Sequence, residues 1–179
     1  MATGFSSHPA PRPHARGPSL AGVASDGILA GMVGAATVAL WFLGYDALTR
    51  EPLFTPSTLG RALAFGDRPE PTLPVDLAAV AIYTAIHGGL FLAFGIAVSA
   101  LRATIRNRIA PWLLPGGLFL ALELGFLLLA EVAAPCAADV IGQVPILLGN
   151  ALAAATMSAY LLVWSGSQAE SASADRGRA

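Results

Sequence analysis

Four long apolar runs dominate the chain, separated by short polar segments. They cover about 27–48 (GILAGMVGAATVALWFLGYDAL), 77–101, 111–134 and 141–164. Each comes close to the roughly 20 residues that a helix needs to cross a bilayer. Lipid offers no partner to backbone N–H and C=O groups, so such runs have to be helices. The alternating apolar-out, polar-in strands of a membrane barrel are absent. The pattern therefore predicts an all-α protein, a four-transmembrane-helix bundle over 27–164. It is flanked by polar tails at 1–26 and 165–179, whose Pro, Ser, Arg and small polar residues read as disordered. No small-residue cleavage pattern follows the first run, so it reads as an uncleaved anchor and not as a signal peptide.

The connection 46–76 carries a pattern of its own. Within it, TPSTLGRALAF offers Thr55 as a candidate N-cap and Pro56 at the first helical position, followed by Leu59, Gly60, Leu63 and Phe65. A short interfacial helix is expected there, lying on the outer face of the membrane. The alternative is a lid or re-entrant element over a cavity between the spans. Pro69, Pro71 and Pro74 end the element.

Composition and charge add the environment and an orientation. Hydrophobic residues make up 55% of the chain and charged ones 12%, where a soluble domain carries about 25% charged residues. A formal net charge of −1 leaves no basic patch for nucleic acid. All basic residues are Arg. The connection between the second and third runs holds Arg102, Arg106 and Arg108, and the tails hold Arg12, Arg16, Arg176 and Arg178. The 46–76 connection is net acidic. By the positive-inside rule both termini face the cytoplasm of a bacterium, and 46–76 faces outward from its inner membrane. The single Cys136 excludes an intrachain disulfide.

Polar positions inside the runs are the candidate chemistry. An acidic residue at a helix centre costs about 2.5–3.5 kcal/mol, so it needs a partner. Glu131 lies near the outer end of its span and reads as an interfacial acid. Glu123 lies about 15 Å deep at 1.5 Å per residue, and His87, Asn150 and Thr37 fall at similar depth on the other three spans. Turned inward, these four would form one buried polar layer. That layer could be an interhelical hydrogen-bond set, a proton or small-ligand site, or a metal or haem site through His87. One His and one Glu are too few for a closed zinc site, so no metal site is assigned. No resident cofactor is expected, with haem or quinone as the alternatives.

Small residues recur at close-packing spacing: Gly27, Gly31 and Gly34; Gly88 and Gly95; Gly117, Ala121 and Gly125; Gly149 and Ala153. Such faces serve packing within the bundle, a homo-oligomer or other membrane subunits. Nucleotide-binding, zinc-protease and nucleophile-elbow motifs do not occur, and no catalytic residue is assigned.

Asp46, Pro52, Phe54, Thr55, Pro56, Leu59 and Gly60, followed by His87 and Gly88, resemble a group of small bacterial four-helix membrane proteins. The resemblance covers about 27–101. It implies the same fold and no particular activity, and it points to His87 and to the outer-loop element Asp46, Thr55, Pro56 and Gly60. Three functions remain open at this point. One is an accessory or scaffold subunit of a membrane complex. Another is a small oligomeric transporter or proton-coupled carrier using the His/Glu/Asn layer, and the last is a haem- or quinone-linked redox protein.

Overall fold

The structure, a computed structural model, describes residues 19–105, 110, 112–133 and 137–164. Residues 1–18 and 165–179, Arg106, Arg108 and Cys136 lie outside the described residues, and with them Arg12, Arg16, Arg176 and Arg178, on which the expected orientation draws. Among the described residues all regular structure is helical: α1 (Leu20–Thr49), α2 (Phe54–Phe65), α3 (Leu77–Ile105), α4 (Leu113–Ala133), α5 (Ala137–Ile141) and α6 (Gln143–Ala159), which runs on into a π-turn at Tyr160–Trp164. Four of these helices are long and apolar enough to cross a membrane: α1, α3, α4 and α6 with its π-turn.

Helix α1 starts at Leu20, earlier than the expected start near residue 27, so residues 20–26 belong to the helix and not to the tail. The reason is local. Ser19 caps it, its Oγ accepting from the Gly22 N–H at 3.1 Å, which satisfies one of the amides that a helix start leaves open. Asp76 does the same for α3, accepting from Ala78 N–H at 2.8 Å and Ala79 N–H at 3.3 Å.

Helices α1 and α3 pack backbone to backbone. A Cβ added at Gly27 would lie 2.5 Å from Ile96 Cα, one at Gly31 would run into the Phe91 carbonyl, and one at Gly95 would run into the Gly27 carbonyl. Only hydrogen at these three positions lets the backbones come this close. Helix α6 closes on the other side of α1. Trp41 Nε1 donates to the Pro145 carbonyl at 2.8 Å, and Gly149 receives the Trp41 ring. The buried core of the bundle gathers Val38, Phe91, Leu118, Met157 and Leu161.

Gly88, Gly117 and Gly125 behave differently. Nothing lies within 4 Å of a Cβ added at Gly88, Gly117 or Gly125. Helix α4 packs chiefly against α6 and hardly meets α3.

Helix α2 folds back against the start of α3, where Gly60 meets the Ala79 carbonyl so closely that a Cβ would collide with it. Its buried face runs through Phe54, Thr55, Thr58, Leu59 and Ala62. The helix begins two residues earlier than expected. Leu53 is the N-cap, in a left-handed conformation at φ 68°, and Thr55 and Pro56 sit inside the first turn. Thr55 is therefore not the N-cap. Its own N–H is capped from α1 by Asp46, which removes the need for a capping side chain next to it in sequence. Pro56 fits the first turn because a proline there gives up no intrahelical bond.

Candidate functional site

Helix α3 turns toward α1 and α2 while α4 leans on α6, and a cleft of about 550 Å³ is left between α3 and α4. Its floor is Val38 and Phe42 of α1 with Ile146 and Asn150 of α6; α2 and α5 close one end with Leu59, Leu63 and Ile141. The α3 wall carries Tyr83, Ile86, His87, Leu90 and Phe94, and the α4 wall carries Leu122, Gly125, Phe126 and Leu129. Rim residues Leu90, Leu128 and Val132 are 51%, 70% and 78% exposed, so the cleft opens sideways, where a bilayer would place acyl chains. The volume falls in the ~300–1,000 Å³ range of small-molecule sites.

Three polar side chains line this apolar space: Tyr83, His87 and Asn150. His87 is held in a ladder along α3, its ring 5.3 Å from Tyr83 and 4.7 Å from Phe91 between centroids. Its Nε2 faces the Ala35 carbonyl of α1 at 3.3 Å and its Nδ1 faces the Tyr83 hydroxyl at 3.4 Å. A carbonyl only accepts, so in the neutral ring Nε2 carries the hydrogen and Nδ1 accepts from Tyr83. Both ring nitrogens are thus directed at protein groups, and this arrangement does not suit His87 as a haem ligand.

Glu123 is bonded across the α4–α6 contact. Asn150 Nδ2 donates to its Oε2 at 2.8 Å. The second Glu123 oxygen takes no bond from the described residues and is not sealed from its surroundings. The expected four-residue layer does not form. Glu123 and Asn150 meet, whereas His87 turns to α1 and to Tyr83, and Thr37 pairs with Thr156 between hydroxyls at 3.1 Å. Depth was shared, but helix rotation splits the four side chains among three separate sets of contacts. A His87–Glu123 proton pair is therefore not assembled. Among the described residues, no three His, Cys, Asp or Glu side chains come together as a metal site. Glu131 is exposed near the carboxy-terminal end of α4.

The outer-loop element is a buried latch. Asp46 is fully buried and accepts from Thr55 N–H and Thr55 Oγ1, both at 2.7 Å. Arg50, one turn on, has its Nε 3.6 Å from Asp46 and donates to the Val140 and Ile141 carbonyls at 3.3 and 3.1 Å. Its guanidinium also lies over the Tyr45 and Phe54 rings at 5.1 and 4.9 Å. One carboxylate and one guanidinium thereby fasten α2 and the end of α5 to α1. Gly60 and Pro56 act within this element through the packing and first-turn fit described above.

Two residues matter more than their sequence positions suggested. Tyr83 stands four before His87, a spacing that puts both on one helix face. Arg50 stands four after Asp46 by the same rule. Those spacings were the available signals. None of the known protein families, curated proteins or solved structures compared with this chain matches it.

Proposed function

We propose that this protein is a bacterial inner-membrane protein that takes a lipid-like molecule into the lateral cleft between α3 and α4. The cleft carries the reading: it is apolar, of ligand size, open toward where lipid would lie, and marked by a few polar groups at Tyr83, His87 and Asn150. That combination is what an orienting ligand site needs. Both termini face the cytoplasm, in line with Arg102, Arg106 and Arg108 between α3 and α4 and the acidic 46–76 connection. On this orientation α2 sits at the outer interface and serves as the outer wall of the cleft, joining the two roles considered for it.

Gly125 provides the test. It lines the cleft, and a Cβ there meets nothing within 4 Å. Gly125→Leu should fill the cleft without disturbing the bundle. Native mass spectrometry of the parent protein, released from nanodiscs, should show a bound hydrophobic molecule that Gly125→Leu loses. If both proteins carry the same adducts, the cleft reading fails.

A second reading has its own support. Glu123 keeps one accessible oxygen deep in α4, and much of α4 is exposed, including Leu120, Leu124 and Leu127. An accessory subunit, docked through α4 in a homo-oligomer or on another membrane subunit, would cover that face. Glu123→Gln and Leu124→Trp should then lower the assembled mass in gentle detergent; an unchanged mass counts against it.

A further inference from the structure

The distribution of charge around the cleft narrows the ligand further, an inference that rests on the cleft reading above. Among the described residues no Asp, Glu or Arg lines the cleft, and the chain has no Lys. Tyr83 and His87 are the titratable side chains of the lining, and both ring nitrogens of His87 are turned to the Ala35 carbonyl and the Tyr83 hydroxyl. A phosphate, carboxylate or ammonium group drawn inside would meet no countercharge, and an unpaired ion in an apolar space is strongly unfavourable. The end under α2 and α5 offers no anchor either, being closed by Leu59, Leu63 and Ile141. Arg50 at that end is held by Asp46 and by the Val140 and Ile141 carbonyls, and Arg61 of α2 by Asp67 and Asp76. Glu131 and Asp139 are exposed outside the lining, close in sequence to Val132 and Ile141. Their sign disfavours an anionic head at that mouth.

Length sets a second limit. Along α3 the lining runs from Tyr83 to Phe94 and along α4 from Ala121 to Val132, in each case about 16 Å at 1.5 Å per residue. The hydrocarbon core of a bilayer is about 30 Å thick, so the cleft covers half of it and an occupant need not reach both faces. We infer that the cleft takes an uncharged lipid, one whose polar part is a hydroxyl, ester or carbonyl group, and turns away phosphate, carboxylate and ammonium heads. The chain of such a lipid covers Leu90, Phe94, Leu122 and Phe126 and leaves through the open rim.

The test uses the full chain in phosphatidylcholine nanodiscs with hexadecanol bearing a diazirine in its tail. After photolysis, adducts are located by peptide mass spectrometry. Unlabelled hexadecanol, hexadecyl phosphate and hexadecyltrimethylammonium, which share one tail and differ in charge, then compete at equal mole fraction in the bilayer. Adducts are expected on the α3 and α4 walls, with the alcohol competing at least about ten-fold better than either ion. Val132→Arg sets a cation at the rim, where the 78% exposure of Val132 leaves room for it. It should improve the phosphate several-fold and leave the alcohol unchanged. Saturable labelling of the cleft with all three competitors equally effective overturns the selection for uncharged lipids and leaves the cleft reading standing. An ammonium head as good as the alcohol overturns that class as well and brings Glu131 into the site. A phosphate that gains nothing in Val132→Arg overturns charge as the basis of the selection. If labelling is not saturable, or is the same in Gly125→Leu, the cleft reading itself falls.

Discussion

The two faces of α3 are built in opposite ways. Toward α1 it meets glycines at Gly27 and Gly31 and offers its own Gly95, and the backbones touch. Toward α4 the neighbouring small residue, Gly125, touches nothing, and a cleft opens. Glycine thus has two uses in one membrane protein. On the α1 side its missing Cβ is filled by another backbone, and the gain is dispersion and close packing where no hydrophobic effect operates between helices. On the α4 side the missing Cβ is left as volume. The difference separates the part of the molecule that holds it together from the part that is available to a ligand.

The same substitution placed on each face gives the sharpest test of this contrast. Gly95→Leu drives a side chain into the Gly27 carbonyl and the Gly31 backbone, which cannot move aside as a side chain would. It should cost about 3 kcal/mol or more and show as loss of the folded monodisperse species in detergent. A Gly95→Leu protein that unfolds like the parent would mean that the seam is not as tight as described.

Asp46→Ala comes next. It leaves the buried Thr55 N–H and hydroxyl without their acceptor and takes away the carboxylate beside Arg50. The expected cost is about 2–3 kcal/mol, read from thermal unfolding in detergent. Limited proteolysis should locate the loosening at 50–76. Equal protease resistance in that segment would remove the latch from the account.

Gly125→Leu should do the opposite of Gly95→Leu. With open space for the new side chain and better helix propensity, stability should hold or rise by about 0.5–1 kcal/mol. Ligand binding is what should disappear. A destabilised Gly125→Leu protein would show that α4 closes onto α3 and that the two faces are alike after all.

Thr37→Val is the smallest effect. It removes the hydroxyl contact with Thr156 on the α1–α6 side and leaves the cleft intact. A loss of about 0.6 kcal/mol is expected, with ligand binding unchanged. Reduced binding would tie Thr37 to the cleft, against its pairing with Thr156.

Much of the architecture was legible in the chain before any tertiary contact was known. Apolar runs of spanning length have to be helical in lipid, because each residue's N–H and C=O can be satisfied only within its own helix. That reasoning is local, so it located α1, α3, α4 and α6 and fails only at their ends, where a single cap such as Ser19 moves the start. Depth was legible too, since rise per residue is constant, and it correctly put Glu123 and Asn150 within reach of each other.

Rotation about each helix axis was not legible. An error of one residue turns a side chain by about 100°, and hydrophobic runs that are apolar on every side carry little pattern to fix it. Only the tertiary structure decided that His87 faces Ala35 and Tyr83 and that Thr37 faces Thr156. It also decided which glycines would be filled by backbone and which would border empty space. That choice depends on how far α4 stands from α3, a distance set by the packing of α4 on α6 and by the α2 and α5 segments that Asp46 and Arg50 fasten to α1. The chain alone determined a set of helices suited to a membrane; their mutual rotation and spacing made a closed seam on one side and an open apolar cleft on the other.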